Sequence, residues 1–440
     1  MKIVIVGGSF AGIHTAMLLR RYCSDSEIIL IEKQNEIGYI PSGFSLFLQH
    51  KITDKEQLCW MTKEELAKEY HIEVYTGVTV TGIKGKKIML ASTKDHEDNE
   101  NRETMQFDRL VIATGSSQSF PELSLSELDQ IYSVKASSEM ANLQQKIETA
   151  KKIAIIGAGQ VGLDIAEAVI TAGKEVHLYE SRRSLLFRYF DAEMTEDLAK
   201  EMEKRGVHLF LKEQVQVLTE QNEAFLETEK RKEAYDLILL ANHTRPDNRI
   251  WKEQLRLNDD GTIWVDDYLQ TSQEDVYAIG DAIQVTFRPT LEKMFVSLVN
   301  NAIRTAQAVS KTISGFPTKD VGTYRPVGNQ WFGYYLGSVG LTEGESIFYP
   351  GKIEIHEIEC PVSAVSRKTV KLKLLCDTHQ HLIGAQLQSK SSIFHLLDLL
   401  TIAVEHQWTL AQLEEQELFF QPEYRVPKLW TKVADSANEN

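Results

Sequence analysis

The chain is expected to be an α/β protein with two Rossmann-like dinucleotide-binding domains, and three features of its 440 residues predict this. A glycine-rich turn joins an apolar run to an amphipathic segment at the start, a second such turn follows about 150 residues later, and an acidic residue closes the next apolar run after each. Strands buried on both faces of a parallel sheet read as short continuous apolar runs, and the helices between them repeat at 3.6 residues.

The first unit opens with Lys2-Ile3-Val4-Ile5-Val6, then Gly7-Gly8-Ser9-Phe10-Ala11-Gly12, then an amphipathic stretch through Arg21. Gly7 permits the tight turn, the small Ser9 stands where a second glycine usually lies beside a pyrophosphate, and Gly12 lets helix and strand approach closely. Backbone N–H groups at the helix start then face the phosphates. The next apolar run, Ile28 to Ile31, ends in Glu32, twenty residues after Gly12, where a carboxylate can accept hydrogen bonds from ribose hydroxyls.

The second unit repeats the plan with Lys152 to Ile156, the complete fingerprint Gly157-Ala158-Gly159-Gln160-Val161-Gly162, a helical stretch Leu163 to Ala172, and a strand Glu175 to Tyr179 closed by Glu180. One Gly-x-Ser-x-x-Gly would be a weak signal. Two complete openings with both acids in place imply two bound dinucleotides. Glu180 favours free ribose hydroxyls and repels a 2′-phosphate, which selects NADH over NADPH. Arg182 and Arg183 follow closely and could receive such a phosphate, or stand as exposed loop cations.

Two further apolar strands complete the frame. Leu110 to Ala113 is stopped by Thr114-Gly115, suited to a crossing between two nucleotide domains, and Asp275 to Ile279 ends in Gly280-Asp281, which can present a carboxylate to a sugar-like hydroxyl. Together these segments resemble the pyridine nucleotide-disulfide oxidoreductases, in the branch of NADH peroxidase, NADH oxidase and coenzyme A disulfide reductase, over nearly the whole chain. Arg245-Pro246-Asp247, Leu336 to Glu343, Leu382 to Gln386 and Phe419 to Tyr424 are also family-like. The resemblance implies FAD held by Gly7, Ser9, Gly12, Glu32, Lys33, Thr114, Gly115, Gly280 and Asp281. It implies NADH held by Gly157, Gly159, Gln160, Gly162, Glu180 and His243. It also implies a C-terminal α+β domain that forms a homodimer and reaches toward the partner's flavin. The organisation expected is an FAD domain at 1–117 and 246–320, an NAD(P)H domain at 118–245 and an interface domain at 321–440. Arg20-Arg21 resembles the place where disulfide-reductase relatives hold coenzyme A phosphates, although paired arginines at a helix C-terminus also suit the helix dipole.

The chain departs from that pattern where the chemistry would lie. Ser42 stands at the relatives' redox cysteine and Phe10 at their assisting histidine, so no catalytic residue is assigned with certainty. A thiolate can attack and be oxidised through a ladder that a hydroxyl lacks. Ser42 is read instead as the N-cap of a helix Gly43 to His50. His14, one turn beyond Phe10, is expected to pack, and Cys59 to be a small buried hydrophobe. Gln160 replaces an aromatic residue and His243 a glycine, while Asp164 replaces a glutamate and could accept a bond near flavin and nicotinamide.

The expected activity is therefore hydride transfer from NADH to FAD and on to oxygen, giving hydrogen peroxide, or to another small-molecule acceptor, without an active-site thiol. Reduction of a ferredoxin- or rubredoxin-type carrier is the alternative enzyme, and a degenerate FAD/NADH-binding sensor the non-catalytic one. A net charge of −15 argues against nucleic acid and anionic membranes as partners. No apolar run approaches the roughly 18 residues of a membrane span, and the start on a core strand suits the cytoplasm. Cys23, Cys59, Cys360 and Cys376 form no Cys-x-x-Cys pair, so no metal site is expected from them. A polar loop tip is expected at Lys94 to Glu103, and a frayed tail after Val433.

Overall fold

The computed structural model describes residues 1–92, 103–118, 130–134, 140–220, 223–242 and 244–426. Its first sheet is parallel and five-stranded, in the spatial order Val276–Ala278, Arg109–Ile112, Lys2–Val6, Glu27–Glu32 and Glu73–Thr76. The order reverses direction at Lys2–Val6, whose neighbours are the second strand on one side and a much later one on the other. Ligands of open α/β sheets bind outside the carboxyl ends of the strands at such a switch point. Ile3, Val4 and Ile5 are fully buried in a core shared with the helices Phe10–Tyr22 and Val299–Ile313, which pack along each other, and with Val80, Ile83, Ile88 and Leu90 of an antiparallel meander.

The second sheet has the same design. Val207–Leu211, Glu175–Glu180, Lys152–Ile156, Leu237–Leu240 and Ile131–Ser133 lie in that order, all parallel, with the reversal at Lys152–Ile156. The helix Gln160–Thr171 follows the glycine turn, and an antiparallel meander of Gln216–Glu220, Glu223–Glu227 and Lys232–Ala234 packs on the opposite face around Tyr179, Leu226 and Tyr235.

A third sheet is antiparallel, in the order Val327–Trp331, Tyr334–Gly340, Leu382–Ser389, Thr369–Asp377 and Ile353–Pro361, with the helix Phe394–Glu405 against it. Lys373, fully buried in this sheet, sends its ammonium between Glu193, Glu343 (2.6 Å) and Asp191 (3.2 Å), which ties the sheet to the segment joining the second sheet's strands Glu175–Glu180 and Val207–Leu211. Burial pulls this lysine's pKa down, but the carboxylates reverse that and raise it above its ordinary value.

The strands Lys87–Ser92 and Glu103–Gln106 pair antiparallel around the expected loop tip, of which 94–102 lie outside the described residues, as does the tail beyond 426. Among the described residues no helix is long and apolar enough to cross a membrane.

Candidate cofactor and redox site

The first glycine loop is fixed by backbone contacts that leave no room for a side chain. Gly7 has φ +116°, and a Cβ there would stand 2.2 Å from the carbonyl oxygen of Ala113; a Cβ on Gly12 would stand 1.8 Å from the carbonyl oxygen of Gly7. An L-residue would be strained at the first position and would push helix from strand at the second. The N–H of Gly8 donates to Glu32 Oε2 at 2.6 Å and that of Gln34 to Oε1 at 2.9 Å, which locks the acid at the strand end against the loop. Each carboxylate oxygen keeps a further lone pair for a ligand hydroxyl.

Ser9 caps the helix by position, yet its hydroxyl makes no capping bond, so no serine oxygen occupies the first-turn N–H groups. Those groups and the positive end of the helix dipole suit an anion. Nearby, Gly115 has φ +67° with nothing within 4 Å of a built Cβ, and Gly280, φ +63°, donates its N–H to Thr305 Oγ1 at 3.1 Å. Asp281 accepts hydrogen bonds from the hydroxyls of Ser116 (2.5 Å) and Ser297. Thr114 and Lys33 are exposed. Val6, Glu32, Ile112 and Ala278 end adjacent parallel strands, so the fold delivers Gly7, Glu32, Thr114 and Asp281 to one rim.

The second loop copies the first. Gly157 has φ +107°, a Cβ on Gly162 would stand 1.9 Å from the carbonyl oxygen of Gly157, and Glu180 accepts from the N–H of Ala158 at 3.0 Å and of Arg182 at 2.8 Å. Gly159, the helix cap, has open space where a side chain would be. Arg182 and Arg183 are exposed, Arg182 standing 5.1 Å above the ring of Phe187. Gln160 begins the helix, half-buried; His243 lies outside the described residues. Two side-chain atoms close to the loops, Trp60 Nε1 and Asn242 Oδ1, are buried without a hydrogen-bond partner in the protein. Helix N–H groups without a capping side chain, side-chain-free rims and ribose-height carboxylates make both loops fit a dinucleotide.

Between the loops, the expected role of Ser42 needs correction. It occupies the cap position of a helix that runs Gly43–Leu48, shorter than expected, but its side chain makes no capping bond. A capping oxygen reaches the first-turn N–H groups from extended backbone, and Ser42 is already helical at φ −73°, ψ −13°. Ser45 instead donates its hydroxyl to the Ser42 carbonyl at 2.9 Å, and the Ser42 side chain is exposed.

Phe10 stacks on Trp60 with ring centroids 5.6 Å apart and planes 7° from parallel, and His14 lies 5.1 Å from the same indole. The His14 Nδ1 contacts the Phe10 carbonyl at 3.1 Å, and burial lowers the ring's pKa. A neutral packed imidazole results. Trp60 was not singled out from the sequence. It arrives because residues 58–60 pair with 38–40 through Ile40 N–H to Leu58 O (2.8 Å) and Trp60 N–H to Gly38 O (3.0 Å), a long-range pairing without a local signal.

Cys59, expected as a buried hydrophobe, is only half-buried and sits 3.9 Å from Glu36; burial and that carboxylate both raise its thiol pKa. A thiol so placed is a poor nucleophile. Cys376 is pushed up to about 12, chiefly by burial. Arg20 is not free for a phosphate, because its guanidinium donates to the carbonyls of Ser24, Ser26, Tyr70 and His71.

Asp164 lies seven residues past Gly157, as His14 does past Gly7, but its bonds run to the third sheet. It accepts from Trp331 Nε1 at 2.7 Å and Asn329 Nδ2 at 2.9 Å, and burial outweighs these donors to push its pKa up to about 7. Phe420 is exposed, as are Phe419 and Tyr424 in the same segment.

With this geometry established, similarity to known proteins narrows the chemistry. The family model described as pyridine nucleotide-disulphide oxidoreductase matches residues 1–307. An NADH oxidase of Enterococcus faecalis is 27% identical over 455 aligned residues, covering the whole of both chains. A coenzyme A disulfide reductase of Staphylococcus haemolyticus is 25% identical over 97% of each. The solved structure of a water-forming NADH oxidase from Lactobacillus brevis, bound to NADH, superposes with a TM-score of 0.93 at 26% identity, over 100% of this chain and 98% of that one.

Proposed function

Because the chain belongs to the pyridine nucleotide-disulphide oxidoreductase family, we propose that it is an FAD-dependent NADH oxidase that delivers electrons to oxygen and releases hydrogen peroxide. The two cofactors, when bound, supply hydride transfer and electron delivery. The chain's own residues hold and shield them. Gly7, Ser9, Gly12, Glu32, Lys33, Thr114, Gly115, Gly280 and Asp281 are assigned to FAD. Gly157, Gly159, Gln160, Gly162, Glu180 and His243 are assigned to NADH. NADH is preferred over NADPH because Glu180, fixed by two backbone N–H groups, keeps a carboxylate where a 2′-phosphate would have to lie.

The peroxide product rests on one observation: the segment expected to face the flavin offers an exposed Ser42 hydroxyl and a Phe10 ring clamped on Trp60, with no cysteine at either position. Reduction of peroxide to water needs a group that takes up one of its oxygens, as a thiolate does in becoming sulfenate. Without it, NADH, a proton and oxygen yield NAD⁺ and hydrogen peroxide. The test is oxygen consumption by the yellow enzyme: one oxygen consumed per NADH, with half returned on adding catalase, is expected. One oxygen per two NADH, with no catalase effect, would overturn the assignment.

The domain boundaries 1–117 with 246–320, 118–245 and 321–440 follow from the same reading. The exposed Phe419, Phe420 and Tyr424 support a homodimer formed through the C-terminal unit, since exposed aromatics clustered in one short segment suit an interface.

A further inference from the structure

The second sheet carries a cluster that nucleotide binding does not use, near the amino ends of its strands. His177 and His208 face each other across the parallel pair Glu175–Glu180 and Val207–Leu211, and their rings meet edge to face at 4.7 Å. Glu175, two residues before His177, projects to the same face. One carboxylate oxygen and one ring nitrogen from each histidine all lie within 4.8 Å of one another.

The inner histidine is held as a metal ligand would be. His177 is buried; its Nε2 is 3.0 Å from Glu175 Oε1 and its Nδ1 is 2.8 Å from the Tyr235 hydroxyl, which in turn meets the Tyr179 hydroxyl at 2.6 Å. A cation between Nε2 and the carboxylate would leave Nδ1 to donate its proton to Tyr235, the outer contact that orients metal-bound imidazoles. Lys152 does not fill the place: its ammonium is at 2.8 Å from Glu233 and 3.9 Å from Glu175. Glu175 and His208 are exposed, so their side chains can close the last ångström toward an ion, whose bonds to nitrogen and oxygen would be about 2.0–2.2 Å long.

We propose that Glu175, His177 and His208 form a site for a divalent transition-metal ion of the zinc class, with two imidazoles and one carboxylate as protein ligands and water completing the shell. Such an ion would clamp the edge strand Val207–Leu211 to its neighbour.

The test uses the flavin-loaded full chain, stripped with a chelator and dialysed. Calorimetric titration with zinc is expected to give one ion per chain, and copper(II) at the same site to show hyperfine coupling to imidazole nitrogens in its paramagnetic resonance spectrum. His208→Ala, an exposed change on an edge strand, should weaken zinc at least about tenfold, and Tyr235→Phe roughly tenfold through the ring's lost orientation. His381→Ala removes a half-buried ring that lies against His379 and Asp377 at a turn of the third sheet, and should leave zinc binding unchanged. Zinc binding that is absent, unaffected by His208→Ala, or lost instead in His381→Ala would overturn the site.

Discussion

The two glycine loops are near-copies in backbone and opposites in what lies behind them. Gly7 and Gly157 share a positive φ, Gly12 and Gly162 bring a would-be Cβ within 1.8 and 1.9 Å of the same carbonyl, and Glu32 and Glu180 each accept from the second loop residue. One turn further, His14 sinks against Trp60 within an aromatic stack, while Asp164 accepts bonds from Trp331 and Asn329 of another sheet. Steric necessity fixes the loop, so it repeats wherever the fold repeats. What fills the next turn is fixed by whichever element packs on it, and that differs between the two halves.

The harshest way to break the likeness is to add one methyl group to each helix. Gly12→Ala places its Cβ on the Gly7 carbonyl, and no flexible side chain is there to yield. A cost of about 3 kcal/mol or more is expected, with loss of the yellow colour. Gly162→Ala makes the same collision in the second unit, so it should melt earlier but keep its flavin and lose reduction by NADH. The check is the flavin-to-protein absorbance ratio alongside anaerobic NADH titration. Equal flavin loss in both variants would show that the two units do not fold and bind separately.

These loops were legible in the sequence because their constraints are local. Apolar runs, glycines and closing acids all fall within about 30 residues of each other, and the structure places them as parallel strands, turns and strand-end carboxylates. Ser42 was misread because a cap depends on backbone angles as well as on residue type. Trp60 behind Phe10, the carboxylates around Lys373 and the histidines 177 and 208 were invisible for a different reason. Their partners are chosen by strand pairing and packing across tens to hundreds of residues, which no local pattern encodes. Asp164 shows the limit most clearly: its position on the helix could be counted, but its partners lie 165 and 167 residues away.

A smaller effect is expected from Asp164, and it depends on pH. Its pKa rises on folding from 3.8 to about 7, chiefly through burial. The folded state therefore holds the proton more tightly, and stability present below pH 4 is lost as pH rises through about 7. Three units correspond to roughly 4 kcal/mol at most, by order of magnitude. Asp164→Asn keeps an acceptor for Trp331 and Asn329 while removing the charge. Its apparent melting temperature should match the parent below pH 4 and exceed it by a growing margin up to about pH 7 and above. A variant less stable than the parent at pH 8 would mean that the carboxylate is held ionised. The equivalent His14 gives the contrasting sign: its pKa is lowered, so its share of stability is present above pH 6.5 and lost as pH falls below it.

The smallest effect comes from exchanging the third loop position, Ser9 in the first loop and Gly159 in the second. Ser9 and Gly159 both have extended backbone, at φ −104° and −80°, and neither supplies a capping bond. Ser9→Gly therefore loses no hydrogen bond, and replacement at a helix cap by glycine costs only a few tenths of a kcal/mol. In Gly159→Ser the added Cβ meets nothing within 4 Å, so melting should be unchanged. Whatever that serine does must come from the nucleotide, whose pyrophosphate is expected beside the second glycine. The KM for NADH is thus the sensitive reading, with the thermal melt as control. A raised KM at constant melting temperature would mean that the second loop needs its glycine for close approach. An unchanged KM would show that both loops accept serine, and that Ser9 marks no special demand of the first.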